Sequence, residues 1–582
     1  MTAETTRLRS VLIEFIGRPG NVQRIIVACG ILILVSGLCT AILCPWLMKI
    51  AFSPTPHADQ WAILDDITAG QKWFSPTWLW KQANEHRIPL LRLAICADLQ
   101  FFGGHGYLLY SLSFVTLLLQ WVMWSLFVRQ TADLPKLLWM PIAGFFGFCF
   151  FCPNQIQNFY SAIQWTFVAE FFFSSAAFIA LAWFAQKGRP WRAVGLASLA
   201  AFLAEGSLAN GNLTWPILWL ATLRLPMQRK HRLVLGGTGM AAIALYLYHY
   251  WQPSYHSNPL ETIRQPYQVA QYVLRYIGHC LSNYFVQAGF IAIVLSVAAF
   301  VALFFLLRRP QTHVLGVALT ATMCFVLATG AMTGLGRLTL GIEQAEGSRY
   351  QTPVMLYWGC AFAALLIAAW QLGSWRDVLA LNMAAVAAIF LPFGNLRPLI
   401  KETQARADVI SLSGESLDRG LVDPMLAQTL VIPISIIIPI TRYLHSHGVA
   451  LGPSAPNLPA SVVTSDWKPG ACEGWLDAIS PLKRFDPGPQ ELRADGWAMK
   501  RQTRRPAESI AIIDNHGTVL AQSSLHFDRP DVKARNPGTH GRVGWHIYVP
   551  LSNESRQLRA VAIVDGHGCP LSHVVTIHGE HE

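Results

Sequence analysis

The stretch GFIAIVLSVAAFVALFFLL at residues 289–307 decides the fold class, because it contains no charged side chain. An α-helix of about 20 apolar residues spans the hydrocarbon core of a bilayer. The whole chain supports the same interpretation, since 53% of its 582 residues are hydrophobic and only 13% are charged. One soluble core cannot bury that much apolar surface. We therefore expect an integral membrane protein that is embedded in a lipid bilayer.

Similar apolar stretches recur along the N-terminal two thirds of the sequence, and they predict an all-α polytopic domain with about eleven transmembrane helices. The predicted segments lie near residues 24–48, 107–128, 137–152, 160–185, 193–208, 213–223, 233–250, 283–307, 312–333, 351–372 and 377–394. Two of them, 137–152 and 213–223, are shorter than an upright crossing requires. We consider these two also as partial or buried helices.

Basic residues cluster on alternate loops, which predicts the orientation of the chain because cytoplasmic loops retain Lys and Arg. The segment before the first helix carries Arg7, Arg9, Arg18 and Arg24, whereas the loop at 153–159 carries none. We therefore predict a cytoplasmic N-terminus and an external C-terminal domain. The net charge of +11 forms no continuous basic stripe with interleaved aromatic residues, so we expect no nucleic-acid partner.

The hydropathy pattern divides the chain into three parts. Residues 1–395 form the predicted transmembrane domain, which includes a long first external loop at 49–106. Residues 396–454 form an amphipathic connector, and residues 455–582 form a β-rich exported domain.

The exported domain is predicted to be a small β-sandwich, because short alternating runs are separated by Gly, Pro and Asn. Examples are SIAIID (509–514), GWHIYVPL (544–551) and LRAVAIVD (558–565). In the connector, the run LVIPISIIIPI (430–440) is too short to cross a membrane. We expect its two prolines to break a helix, and the run to lie buried where the membrane domain meets the exported domain.

Two cysteines, Cys472 and Cys569, are the only ones in the exported domain. In an oxidising compartment two such thiols are expected to pair. A disulfide and two separate thiols remain the alternatives, because the sequence does not give their separation in space.

Three acidic residues, Asp59, Asp65 and Asp66, follow the first predicted helix. Asp59 and Asp66 share a face if the segment is helical. Carboxylates at a bilayer surface hold a divalent cation, here Mg²⁺ or Mn²⁺, or take a proton from a hydroxyl group. The alternative is that they are solvated loop acids stabilised by a helix N-terminus.

A second polar group, Glu85, His86 and Arg87, lies just before the next predicted helix. An arginine there suits a phosphate group, and the acid would orient its guanidinium. The alternative is an interfacial belt of paired and snorkelling charges.

The external segment GLGRLTLGIEQAEGSRY (334–350) contains Arg337, Arg349 and Tyr350. Two arginines at the outer membrane surface suit a lipid-linked phosphate, because guanidinium offers a planar pair of donors. The alternative is a headgroup anchor, with Tyr350 in the interfacial aromatic belt.

Glu170 lies about ten residues inside an apolar segment, where an ionisable side chain is costly. It needs a partner from another helix, and that partnership is either catalytic or a structural interhelical hydrogen bond.

These features together resemble the GT-C-fold glycosyltransferases, which use polyprenyl-phosphate sugars on the outer side of the bacterial inner membrane. The resemblance rests on the first external loop with its acids, on about eleven spans and on an external C-terminal domain. It covers most of residues 20–395. Segments similar to bacterial membrane proteins of this type are HADQW (57–61), NEHRIPLLR (84–92), SLANGNLTWP (207–216) and GRLTLGIEQAEGSRY (336–350).

The resemblance implies an inverting sugar transfer from a polyprenyl-phosphate donor to a cell-surface glycan or lipid acceptor. It also places the exported domain in the periplasm. Asp59 matches the family's first-loop acid, which acts as base on the acceptor hydroxyl or helps to bind a metal. Arg87 and Arg349 would hold the leaving lipid phosphate.

The chain departs from the family pattern in its second external loop, 153–159, which carries no acid. The second carboxylate therefore stays open among Asp65, Asp66, Glu85 and Glu170.

Two other classes of function remain: a transporter or flippase of lipid-linked saccharide, and a membrane-anchored scaffold with a glycan-binding tail. The sequence contains no P-loop, no G-x-S-x-G elbow and no H-E-x-x-H motif. This argues against an ATP-driven pump and against a membrane zinc protease.

Overall fold

The computed structural model describes residues 19–68, 75–132, 134–254, 256–282, 284–452, 463, 466–524, 527–551 and 556–577. Arg7, Arg9 and Arg18, on which the predicted orientation partly rests, lie outside these ranges. The chain forms two compact units. The first unit is Met1–Lys49, Trp73–Ala97 and Tyr107–Leu399, and the second is Ile50–Lys72, Asp98–Gly106 and Ile400–Glu582.

Among the described residues of the first unit, the regular elements are helices and one short hairpin. Its helices, some of which end in the second unit, are α1 (Pro19–Ala51), α3 (Pro76–Leu79), α4 (Pro89–Phe101), α5 (Tyr107–Thr131), α6 (Lys136–Phe151), α7 (Ile156–Tyr160), α8 (Trp165–Gln186), α9 (Pro190–Glu205), α10 (Thr214–Thr222), α11 (Arg229–Leu247), α12 (Pro259–Thr262), α13 (Pro266–Ser282), α14 (Ala288–Arg308), α15 (His313–Arg337), α16 (Gln351–Gln371) and α17 (Trp375–Gly394). The hairpin strands are β1 (Gln82–Ala83) and β2 (His86–Arg87).

Each of the eleven predicted apolar segments coincides with a helix, but fewer of them qualify as full spans. Among the described residues, eight helical stretches are long and apolar enough to cross a membrane: Asn21–Ala51, Tyr107–Thr131, Lys136–Tyr160, Ala162–Gln186, Ala288–Arg308, His313–Leu340, Ser348–Gln371 and Trp375–Gly394. The other three, α9, α10 and α11, have 16, 9 and 19 residues, and α11 begins with three basic side chains in its first four residues. The prediction of an all-α polytopic domain is confirmed, with eight spans by this measure instead of eleven.

Helix α16 forms the centre of this unit, since most of its residues are buried. Helix α14 is peripheral, and large apolar side chains such as Phe290, Val297 and Phe304 stay exposed on it. Lipid supplies the missing cover for such a surface. Helices α1 and α6 approach closely through Gly37 and Gly144, because a Cβ on Gly144 would lie only 2.4 Å from the Cα of Leu34.

The second unit contains α2 (Asp59–Thr68), α18 (Leu396–Asp418), α19 (Pro424–Ala427) and α20 (Ile434–Ser446). The segments Ile50–Lys72 and Asp98–Gly106 belong to it, whereas we assigned the whole first external loop to the transmembrane domain. The physical reason is that α2 packs against α20 and buries Trp61 and Leu64.

The prediction that both prolines break the run at 430–440 is wrong for Pro439, although Pro433 does lie where a helix begins. Pro433 stands at the N-cap of α20, and Pro439 lies inside the helix. Ile437 and Ile440 are fully buried, and this packing offsets the hydrogen bond that Pro439 cannot donate.

The C-terminal part folds into two antiparallel sheets, which confirms the predicted β-sandwich-like domain. The strands are β4 (Cys472–Pro481), β6 (Glu491–Lys500), β7 (Ser509–Ile513), β8 (Val519–Ser523), β9 (Gly544–Pro550), β10 (Arg556–Val564) and β11 (His567–Ile577), and a small separate sheet pairs β3 (Leu421–Val422) with β5 (Lys483–Arg484). One of the two sheets has the order β11-β10-β7-β8 and the other has the order β4-β6-β9. Both sheets contribute to one core, which includes Leu476, Ile512, Trp545 and Leu558.

Cys472 and Cys569 form a disulfide between β4 and β11, with their Cα atoms 6.0 Å apart. The bond joins an edge strand of one sheet to an edge strand of the other. It closes a loop with a sequence separation of 97 residues.

Candidate functional site

The β1–β2 hairpin presents Glu85 at its tip. Gln82 pairs with Arg87 and Ala83 with His86, so the connection consists of Asn84 and Glu85 alone. Asn84 has a φ of 49°, a left-handed conformation that asparagine adopts more readily than most residues. The local sequence therefore favours a tight turn with the carboxylate at its end.

Arg87 fixes the hairpin to the end of α11. Its Nε donates to the backbone oxygen of Tyr246 at 2.7 Å, and its Nη atoms donate to those of Trp80 at 2.6 Å and Tyr248 at 2.5 Å. The side chain is buried, and three of its five N–H groups donate to these carbonyls. The main chain is thus the observed partner of Arg87, and its role in binding phosphate stays a prediction.

The Glu85 carboxylate lies next to one guanidinium group and two imidazole rings. Its carboxylate forms an ion pair with Arg337, and it lies 3.4 Å from Nε2 of both His86 and His256. Burial opposes ionisation, but His86, His256 and Arg337 together hold the pKa of Glu85 far below its usual range. Glu85 is therefore a fixed negative charge at neutral pH.

His86 is held as a neutral imidazole. The backbone N–H of Ala209 donates to its Nδ1 at 3.1 Å, which requires that nitrogen to be unprotonated. The proton then sits on Nε2, on the side of Glu85. Burial lowers the pKa of His86 to about 4, although the Glu85 carboxylate acts in the opposite direction.

These side chains face a cavity of about 210 Å³. Polar groups enter it from four separate parts of the sequence. Its polar and aromatic lining consists of Glu85, His86, Asn210, Tyr250, Gln252, His256, Ser257, Arg337 and Tyr350. The segment around Ser257 is tied to the end of α15, because its N–H donates to the backbone oxygen of Gly336 at 3.0 Å.

Arg349 stacks on the wall of this cavity. Its guanidinium carbon lies 5.1 Å from the ring centroid of Tyr350, which is itself a lining residue and is buried. Tyr350 in turn packs on Tyr276, with 5.3 Å between ring centroids. The structure thus brings Glu85, His86, Arg337 and Tyr350 to one cavity, with Arg349 against it.

The segment 153–159, which we predicted to be an external loop, is largely helical and supports the same part of the cavity. Asn158 donates to the backbone oxygen of Arg349 at 3.0 Å and to Thr352 Oγ1 at 2.7 Å, and Ser348 donates to the backbone oxygen of Asn154 at 2.6 Å. The loop at 153–159 carries no acid, but its amides position the residues around Arg349.

Glu170 lies on α8, fully buried. Within the described part of the chain, neither of its carboxyl oxygens has a hydrogen-bond partner. It does not line the cavity. The expected partner from another helix is thus not observed among these residues, and a role for Glu170 stays a prediction.

Asp59, Asp65 and Asp66 all lie on α2, in the second unit. Asp59 is the first residue of the helix and, like Asp65, is exposed, whereas Asp66 is half-buried. Within the described ranges, no group of three or more His, Cys, Asp or Glu side chains is arranged to hold a metal ion. The base and metal roles assigned to these acids remain predictions.

Sequence reasoning missed several contributors to the cavity, which are Asn210, Tyr250, Gln252, His256, Ser257 and the backbone N–H of Ala209. His256 was overlooked because no motif marks it, although it sits in the Pro-containing segment QPSYHSNP (252–259), which is typical of an irregular connection. The Ala209 N–H was missed because backbone donors leave no signature in side-chain composition. The segment SLANGNLTWP that contains it was noted only for its resemblance.

No family model matches the sequence, and neither does any curated protein. Among solved structures, the chain is similar to the archaeal oligosaccharyltransferase AglB from Archaeoglobus fulgidus, in complex with an inhibitory peptide and a dolichol-phosphate. The identity is 16%, the match covers 72% of this chain and 56% of that chain, and the TM-score is 0.25. A likeness this slight carries no argument about the fold or the site.

Proposed function

We propose that this chain is a GT-C-like membrane glycosyltransferase that moves a sugar from a polyprenyl-phosphate donor to a cell-surface glycan or lipid acceptor. We further propose that it works at the outer side of a bacterial inner membrane, with the β-domain in the periplasm. The observation that carries the proposal is the charged cavity around Glu85 and Arg337 in the helical, membrane-spanning unit.

The charge of this cavity favours an anionic ligand. Arg337 and Arg349 contribute two positive charges, whereas Glu85 contributes one negative charge and His86 is neutral. Guanidinium groups bind phosphate through paired, charge-assisted hydrogen bonds. In the described part of the chain, eight apolar helical stretches are long enough to cross a bilayer, which suits a phosphate attached to a lipid.

Glu85 and His86 are poorly suited to be the general base. Glu85 is engaged in the ion pair with Arg337, and Nδ1 of His86 accepts a hydrogen bond from the Ala209 N–H, so both groups already have fixed partners. Glu85 instead orients Arg337, and His86 supports Glu85. We propose Asp59 as the base that takes the proton of the acceptor hydroxyl, with Asp65 and Asp66 as neighbouring acids. We derive no step through a divalent cation, because no ligand cluster supports one in the described residues.

Binding of a lipid phosphate tests the cavity directly. The purified full chain is titrated with undecaprenyl phosphate and the complex is measured by native mass spectrometry. We expect Arg337→Gln to weaken binding by about tenfold or more, because a charge-assisted pair is lost. The matched control is Arg264→Gln, since Arg264 is exposed and does not line this cavity. Equal binding by wild type and Arg337→Gln would exclude the cavity as the phosphate site.

A transporter of lipid-linked saccharide would bind the same lipid phosphate. It would, however, move the lipid between leaflets without forming a new glycosidic bond. Formation of a glycosylated product therefore separates the two functions, and a scaffold would show neither activity.

A further inference from the structure

Trp475 stands apart from the rest of the β-domain surface. In the described parts of residues 466–577 it is the one large hydrophobic side chain that is exposed, at 43%. A single exposed apolar side chain needs no explanation by itself. Its surroundings, however, form an ordered arrangement across three strands.

One face of the Trp475 indole is covered by His573. The two rings are stacked, with 4.6 Å between centroids and 6° between planes. The imidazole is fixed in turn, because its Nδ1 donates to the backbone oxygen of Leu476. The indole is thus held as a rigid plate with its exposed area free for a ligand.

A second, half-buried tryptophan lies on the neighbouring strand. Trp475 on β4 lies directly opposite Trp497 on β6, and Trp497 lies opposite Gly544 on β9. Directly opposed residues share a face of the sheet. Arg529 occupies the place of the missing Gly544 side chain, because a Cβ there would lie 2.7 Å from the Cγ of Arg529.

The Arg529 guanidinium is clamped by two carboxylates. Its Nε and Nη2 donate to Asp531 at 2.8 and 2.7 Å, and its Nη1 donates to Asp477, two residues after Trp475. Both carboxylates retain lone pairs that can accept further hydrogen bonds. Glu473, two residues before Trp475, adds an exposed acid on the same strand.

We propose that this surface binds a neutral glycan chain, with one sugar ring stacked on Trp475. The C–H groups on the flat side of a pyranose are apolar and pack on an aromatic ring, while its equatorial hydroxyls donate to carboxylates at the edge. Asp477 and Asp531 place two negative charges against the one positive charge of Arg529, which disfavours a phosphate group at that edge. This inference rests on the proposed function in one respect: the ligand is taken to be the cell-surface glycan that accepts the sugar.

Binding is tested on the full chain in nanodiscs without any sugar donor. The probes are the lipid-free polysaccharide fraction of the source cells, immobilised on beads, and soluble cellohexaose and maltohexaose as competitors. We expect wild type to be retained and Trp475→Ala to bind about tenfold more weakly, the size of one lost stacking contact. Trp475→Phe keeps a ring and is expected to bind more tightly than Trp475→Ala.

His540→Ala is the matched control, because His540 is exposed elsewhere on the same domain. Equal retention of wild type and Trp475→Ala, or no retention of wild type, would overturn the inference. If phosphatidylglycerol vesicles displaced the chain from the glycan beads, Trp475 would belong to a lipid-binding surface, and the inference would be overturned as well. If the chain binds the glycan but adds no sugar to it, the proposed glycosyltransferase activity fails and this inference stands. If the chain transfers sugar but is not retained on the glycan beads, this inference fails and the proposed activity stands.

Discussion

His86 illustrates how a single residue acquires its charge state from a backbone contact. In the folded chain the Ala209 N–H needs an unprotonated Nδ1, and burial lowers the pKa from 6.5 to about 4. The unfolded chain takes up this proton near pH 6.5, whereas the folded chain resists it down to about pH 4. Stability contributed by His86 is therefore present above pH 6.5 and is lost as the pH falls towards 4.

We predict that His86→Gln loses less thermal stability than wild type between pH 7.5 and pH 4.5. The measurement is the unfolding midpoint of the detergent-solubilised chain across this range. His540→Gln, with an exposed ring, serves as the control. Parallel curves for wild type and His86→Gln would contradict the neutral state of His86.

Glu85→Gln removes the charge that neutralises Arg337. We expect it to destabilise the chain by roughly 1–3 kcal/mol, because the guanidinium is left without its counter-charge in a largely buried place. The comparison is Glu343→Gln, whose carboxylate is 75% exposed and 3.7 Å from Arg275. That surface pair is expected to change stability by less than about 1 kcal/mol. If both variants lost the same free energy of unfolding in chemical denaturation, the Glu85–Arg337 pair would stabilise the chain no more than the exposed pair does.

At this scale the sequence predicted which residues are unusual better than it predicted their contacts. Glu85, His86, Arg337 and Tyr350 were all selected, and the structure gathers them at one cavity. Arg87 was selected by the same reasoning but is bound to three backbone carbonyls. A charged side chain looks alike in sequence whether a ligand or the main chain satisfies it.

The packing of α1 on α6 offers a prediction at the scale of elements. A methyl group on Gly144 would lie 2.4 Å from the backbone of α1, whereas one on Gly195 of α9 would meet nothing within 4 Å. Gly144→Ala is therefore expected to separate the two helices and to lower the unfolding temperature and the yield of monodisperse protein. Gly195→Ala is expected to be neutral or slightly stabilising, since alanine favours the helix. Equal behaviour of the two variants would contradict the close helix contact.

The disulfide between β4 and β11 is expected to stabilise the β-domain. Opening a closed loop of this length costs about 2–5 kcal/mol. We predict that the Cys472→Ala, Cys569→Ala double variant exposes the domain to protease at lower urea concentrations than wild type. The control is Cys39→Ala, because Cys39 is a free thiol on α1. Unchanged protease resistance would mean that the sheets hold together without the bond.

The type of each element followed from hydrophobic periodicity, and the errors arose where packing overrode local preference. Helix α20 continues through Pro439 because its apolar face is buried. Helix α2 sits in what appeared to be an open loop, because its partner α20 is more than 350 residues away and leaves no local signal.

At the scale of the whole molecule, the chain joins a membrane-spanning helical unit to a unit built from α2, the connector helices and the β-domain. The proposed phosphate site belongs to the first unit, and the proposed base and glycan surface belong to the second. The sequence predicted both the helical membrane domain and the β-domain. It did not predict that parts of the first external loop belong with the C-terminal domain, because contacts between distant segments have no pattern in composition.

The most direct measurement is the glycan and lipid profile of source cells in which the chain has been deleted and then restored. The deletion is complemented by wild type, by Asp59→Asn, by Arg337→Gln or by the control Arg264→Gln, with expression matched by blotting. We predict that one sugar is lost on deletion and restored by wild type and Arg264→Gln only. An unchanged profile on deletion would contradict the proposed sugar transfer, and full restoration by both Asp59→Asn and Arg337→Gln would contradict the proposed base and phosphate site.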